Sequence, residues 1–145
     1  MSWKPIESEL NDNGVDAVDI AWLAGIIDGE GSIIIHLVRE SGRHQCRVTI
    51  VNTDDGILSE AKRILGKWLI FFTIAKNNQP QHKSCYVIEI NRRLEAKFVL
   101  EKVLPYLKSI KKQKAEAFID FVNNTQRIDG RKSNQRHKEV QYSFV

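Results

Sequence analysis

The sequence predicts an α+β fold of order αββαββα, with a four-stranded antiparallel sheet and an extra C-terminal helix. Two stretches rich in β-branched residues, each interrupted by turn chemistry, read as hairpins. Each hairpin precedes a segment of helical periodicity. A helix apolar on every side leads the series.

Residues 1–18 are polar, carry Pro5 and Asn13-Gly14, and read as an N-terminal arm. The leading helix starts near Asp19, a suitable N-cap. "SIIIHLVRE" (32–40) and "HQCRVTIV" (44–51) are strands joined at Ser41-Gly42-Arg43. In the second, Gln45, Arg47 and Thr49 alternate with Cys46, Val48 and Ile50, giving the sheet one polar and one apolar side. "TDDGILSEAKRILG" (53–66) is a helix capped by Asp54 or Asp55 and ended by Gly66. "KWLIFFTIAK" (67–76) and "SCYVIEI" (84–90) are the second pair of strands, around the turn-forming "NNQPQHK". Asn91 caps a helix that runs to Leu104 and stops at Pro105. The last helix starts near Ser109 and ends near Val122, with Ile110, Ala117, Phe118 and Phe121 on its apolar side. This gives one domain over 19–123 and a basic tail over 124–145.

A chain of 145 residues suits one domain with a proper core. The net charge of +4 permits a polyanionic partner without demanding one, and the positive charge gathers in the last third. The two cysteines, Cys46 and Cys85, form no C-x-x-C, which argues against a zinc ribbon or a secreted disulfide scaffold. No apolar run reaches membrane-spanning length, and the acidic start lacks the marks of a signal peptide. These features point to a reducing intracellular compartment and to no membrane partner.

Ile20–Ile27 holds no polar residue, so the helix is expected to be buried all round. One sheet covers only one side. A second copy of the helix would cover the other, and Ala21 and Gly25 form a small-residue strip where two backbones could approach closely. Two such helices would bring two Asp28-Gly29-Glu30 segments together. Clustered carboxylates call for a cation, and hard oxygen donors suit Mg²⁺ or Ca²⁺. An EF-hand is excluded because its ligand spacing is missing.

Leu23-Ala24-Gly25-Ile26-Ile27-Asp28-Gly29-Glu30-Gly31 resembles the signature of the LAGLIDADG homing endonucleases. Six of its nine positions are identical; Ile26, Gly29 and Glu30 stand for Leu, Ala and Asp. The family's helix-hairpin-helix-hairpin-helix order is the order read above, so the resemblance covers roughly 19–122. It implies a LAGLIDADG homing-endonuclease-like fold and, from a single motif, a homodimer joined through Ala21, Trp22, Ala24, Gly25 and Asp28. It implies site-specific hydrolysis of double-stranded DNA at a long pseudo-palindromic target, with Mg²⁺ as cofactor, Ca²⁺ or Mn²⁺ as substitutes, and no small-molecule cofactor. The implied setting is a bacterial or archaeal cytoplasm or an organelle.

By the same resemblance Glu30 is the catalytic acid and metal ligand, and the Gly29 carbonyl joins the metal shell. Glu in place of Asp moves the ligand oxygen by one methylene. Asn52 falls where relatives position the attacking water; ordinary turn chemistry before Thr53-Asp54 is the alternative. Lys111, in "PYLKSIKKQKAEA", falls where a lysine stabilises charge at the scissile phosphate, with Lys108, Lys112 and Lys114 as competitors. A two-stranded ribbon fits the major groove. The DNA-contact candidates on the first hairpin are Ser32, Ile34, His36, Arg39, Arg43, Gln45, Arg47 and Thr49. On the second they are Thr73, Lys76, Asn78, Gln81 and Lys83. Arg127, Arg131, Lys132 and Arg136 suit phosphates. A solvated sheet face is the structural alternative. The functional alternative is a non-cleaving DNA- or RNA-binding module of the same fold, an intron maturase or transcription regulator.

Overall fold

A computed structural model describes residues 14–77 and 85–125. Its order is α1 (Ala17–Glu30), β1 (Gly31–Val38), β2 (Arg43–Asn52), α2 (Asp55–Lys67), β3 (Thr73–Asn77), β4 (Cys85–Ile90), α3 (Arg93–Val103), a 3₁₀ turn (Leu104–Tyr106) and α4 (Lys111–Thr125). The strands form one antiparallel sheet in the order β1-β2-β4-β3. The αββαββα reading holds, with a helix closing the chain of elements.

The core lies between the helices and one side of the sheet. Ile33, Ile35, Cys46, Val48, Ile50, Ile88 and Ile90 supply the strand residues, all buried. Leu23, Ala24 and Ile27 of α1 join them, as do Ala61, Ile64 and Leu65 of α2, Val99 and Leu100 of α3, and Phe118 and Phe121 of α4. Burial of the Cys46 thiol raises its pKa. Arg63 ties α2 to α1 by donating to Asp19 at 2.8 Å, and it also pairs with Glu60.

Several boundaries differ from the sequence reading. The cap of α1 is Asp16, whose carboxylate accepts from the Asp19 N–H at 2.9 Å; Asp19 itself sits in the first turn. The cap of α2 is Asp54, accepting from Gly56 and Ile57. The apolar run after α2 is a helix end instead of a strand. The Ile70 N–H reaches the Leu65 carbonyl and the Leu69 N–H reaches that of Gly66, both at 3.0 Å. This is the paired closure of a Schellman turn, with Leu69 at φ 62° in the position glycine usually takes. Trp68 and Ile70 are buried and Leu69 is exposed, which imitates the alternation of a strand. The strand β3 therefore starts only at Thr73. At the other end of the chain, Ile110 precedes α4 and is exposed, while Ala115 and Val122 join Phe118 and Phe121 in the core.

Candidate active site and nucleic-acid face

Helix α1 ends at Glu30 and β1 begins at the next residue. The junction is tight. A Cβ on Gly31 would lie 2.9 Å from the Ile27 carbonyl oxygen, so only glycine fits. The chain thus passes directly from a core helix into the edge strand of the sheet, with Glu30 exposed at the corner. Gly29 beside it is also exposed, and a Cβ there would meet nothing within 4 Å.

The loop before α4 locks onto this corner in both directions. The Asp28 carboxylate accepts from the Lys108 N–H at 2.7 Å, the Ser109 N–H at 3.2 Å and the Ser109 hydroxyl at 2.6 Å. In return, Lys111 Nζ donates to the carbonyls of Ile27 at 3.1 Å and Asp28 at 3.0 Å. No basic residue lies in the last turn of α1 itself. Lys111 therefore supplies from another element the cation that the negative end of a helix favours. Burial raises the Asp28 pKa, but the Ser109 hydroxyl and the two backbone N–H groups outweigh it and hold the carboxyl below its ordinary range.

The four candidate lysines are placed differently. Lys111 is the one whose ammonium reaches the signature helix. Lys108 contributes its backbone N–H, Lys112 is exposed, and Lys114 lies one helical turn on. Lys111 and Lys114 line a groove of about 350 Å³ together with Gly31, Ser32, Ile34 and His36 along the edge of β1.

Asn52 ends β2, two residues past Ile50, whose register partner is Gly31 beside Glu30. By strand alternation it shares the helix side with Ile50, and its register partner there is Tyr86. Its side-chain oxygen accepts from the Asp54 N–H at 2.8 Å. That is the turn chemistry offered above as the alternative, and it leaves the amide's N–H donors unspent.

The outer side of the sheet gathers most of the contact candidates. Cross-strand pairs point the same way, so Ser32 with Thr49, Ile34 with Arg47 and His36 with Gln45 share that side. Arg43 belongs to the same alternation, and Arg39 lies in the exposed turn. Gln45, His36 and Ser32 are exposed, Ile34 and Arg47 half-buried, and Thr49 nearly buried. Thr73 joins this side through Glu89, which pairs with both Thr73 and Thr49. Lys76 does not. It pairs with Tyr86 on the helix side, and its ammonium lies 5.9 Å from that ring's centre. It lies three residues after Thr73, and strand alternation sets residues an odd number apart on opposite sides. Asn78, Gln81, Lys83 and the tail cations Arg127, Arg131, Lys132 and Arg136 lie outside the described residues. Glu89, facing outward from an interior strand, is the residue that sequence reasoning passed over. The alternation of Val87 and Glu89 with Ile88 and Ile90 was the signal for it.

The proposed interface residues also separate. Ala24 has no exposed surface and belongs to the core of the protomer. Asp28 is committed to the α4 loop. Ala21 and Gly25 are exposed, Trp22 and Ile26 half-buried, and Val18 is 76% exposed. These residues form one apolar stripe along the outward side of α1.

Among the described residues no three His, Cys, Asp or Glu side chains come together to hold a metal. One protomer offers a hard carboxylate at Glu30 and, beside it, a peptide carbonyl at Gly29 with open space around it. The donor type suits Mg²⁺ or Ca²⁺, but the set is partial, and oxygens beyond these described ones must complete it.

The described residues form an α+β arrangement, a helix-backed antiparallel sheet with a polar open side and an exposed acid at its corner. The comparisons give the family. The profile described as "LAGLIDADG-like domain" matches residues 17–104. The chain belongs to that family. No curated protein matches it. Among solved structures, it resembles the homing endonuclease I-CvuI in complex with a DNA target, with TM-score 0.64 and 23% identity over 78% of this chain and 71% of the other. It resembles the archaeal intron-encoded homing endonuclease I-Vdi141I complexed with DNA, with TM-score 0.58 and 20% identity over 88% and 87%. It also resembles the homing endonuclease I-TnaI, with TM-score 0.54 and 19% identity over 83% and 93%.

Proposed function

We propose that this protein is a homodimeric, divalent-metal-dependent homing endonuclease that hydrolyses both strands of a long pseudo-palindromic DNA target. The observation that carries this reading is the corner at Glu30. A helix whose inner side is core and whose outer side is bare and apolar ends in a free carboxylate where the open side of the sheet begins.

Two protomers joined along Val18, Ala21, Trp22, Gly25 and Ile26 would set their Glu30 carboxylates side by side. Gly25 supports this. Among the described residues a Cβ there meets nothing within 4 Å, so none of them accounts for its small size, which suits the backbone of a second α1. Glu30 and the Gly29 carbonyl from each chain would hold Mg²⁺, with Ca²⁺ or Mn²⁺ as substitutes. The metal, when bound, supplies Lewis-acid stabilisation of charge developing on the phosphoryl group. Lys111 holds a fixed positive charge at the same corner, anchored on two carbonyls so that it needs no reorganisation as that charge grows. Lys114 and the groove along β1 would receive the DNA backbone, while Gln45, Arg47 and His36 face the base edges. The setting is intracellular, where duplex DNA is the substrate.

Plasmids carrying candidate sites, incubated with the protein and Mg²⁺ or EDTA, test the proposal. Specific linearisation is expected with Mg²⁺ and none with EDTA. Glu30→Gln should bind the site and leave it intact. Cleavage by that variant would overturn the catalytic assignment. Specific binding without cleavage by the wild type in Mg²⁺ or Mn²⁺ would favour the non-cleaving module.

A further inference from the structure

We infer that Glu89 is a specificity-determining residue, and that its carboxylate accepts a hydrogen bond from the exocyclic amino group of a cytosine or adenine in the major groove. The inference rests on the proposal that the outer side of the sheet meets DNA.

Three observations carry it. Glu89 belongs to β4, an interior strand of the sheet. Its cross-strand partners, Thr49 on one side and Thr73 on the other, place it within the row Ser32–Thr49–Glu89–Thr73 on the outer side. It is the sole acid among the described strand residues of that side, where Arg43, Gln45, Arg47 and His36 also stand. Among the described residues, the Glu89 carboxylate has no hydrogen bond and no ion pair. Arg47 lies diagonally across from it, close enough for long side chains to meet, yet does not pair with it.

A carboxylate on a surface that meets a polyanion weakens binding by repelling phosphates. It also accepts hydrogen bonds and cannot donate them. The phosphates flank the groove, whereas an interior strand faces its floor. The donors on that floor are the N4 amino group of cytosine and the N6 amino group of adenine. An unpaired acid at the centre of the row is therefore complementary to one of those two groups and to no other feature of the major groove. The neighbouring threonines are shorter than glutamate, and Glu89 itself is half-buried.

Selection of duplexes from a randomised pool by the full-length protein tests this, read as the consensus recovered by wild type, Glu89→Gln and Glu89→Ala. Wild type should prefer cytosine or adenine at one position in each half-site, and which base appears identifies the amino group. Glu89→Ala should lose that preference by roughly tenfold or more while the other positions stay fixed. Glu89→Gln should turn a cytosine preference towards adenine, because an amide can both donate to N7 and accept from N6. Unchanged thermal unfolding of both variants would show that the sheet is intact. A Glu89→Ala consensus identical to wild type at every position would overturn the inference alone. A wild-type protein that recovers no consensus would overturn the reading of the sheet as a DNA surface, and this inference with it.

Discussion

The residues at the end of α1 divide the work among three chemistries. The Glu30 side chain is exposed and, among the described residues, unpaired, which suits its proposed role as a metal ligand. Asp28, two residues earlier in the same signature, spends its carboxylate on the α4 loop, where three donors converge on it. Lys111 answers by capping the helix that carries both acids. Asp28 thus positions Lys111 without facing the substrate. Asp28→Ala should cost about 1 kcal/mol of stability, as loss of a capping side chain does, read from urea unfolding. It should also slow cleavage, because the loop that holds Lys111 loses its anchor. The pH dependence follows from the sign of the shift. The Asp28 pKa is lower folded than unfolded, so its contribution is complete above the ordinary carboxylate value. It is lost as pH falls through the lower folded value. Unfolding midpoints of wild type and Asp28→Asn should therefore converge in acid and separate towards neutrality. Equal separation at all pH values would mean that the carboxylate charge contributes nothing.

At the scale of elements, three positions separate local strain from intermolecular need. Gly31 is demanded by the chain itself, since an added methyl group would strike the Ile27 backbone. Gly31→Ala should destabilise the fold by roughly 1–3 kcal/mol, as overpacking does, measured by chemical unfolding. Gly25 is demanded by none of the described residues. Gly25→Leu should leave the helical circular dichroism intact while shifting sedimentation from dimer to monomer. A Gly25→Leu protein that remains dimeric would place the interface elsewhere. Leu69 is the opposite case, a side chain where the backbone prefers none. It is 78% exposed at φ 62°, so Leu69→Gly gives up little packing and relieves left-handed strain. A gain of about 1 kcal/mol in unfolding free energy is expected, and a loss would mean that Leu69 packs on something outside the protomer.

At the scale of the whole molecule, the protomer has a filled core, an open polar sheet and a bare apolar helix side, and a dimer on DNA would cover the last two. The affinity of such a dimer should fall steeply with salt, because basic groups displace counterions from the duplex. Titrations at several salt concentrations check this, and a flat response would remove nucleic acid as the partner. The sequence by itself determined the order of elements, the two-sided alternation of β2 and the position of the acids, because periodicity and capping are local properties of the chain. It also carried the signature that the family profile matches. It could not place the start of β3, since Trp68 and Ile70 bury and Leu69 exposes in a helix-closing turn just as they would in a strand. Nor could it show that Lys111 meets the end of α1, set Lys76 on the helix side, or separate buried Ala24 from exposed Ala21. Those decisions depend on which groups meet across long sequence separations. Lys111 reaches carbonyls more than eighty residues away, and strand pairing sets which side of the sheet each residue takes. Only the tertiary structure brings such groups together, because their attraction acts over a few ångströms and the chain must be folded before they can feel it.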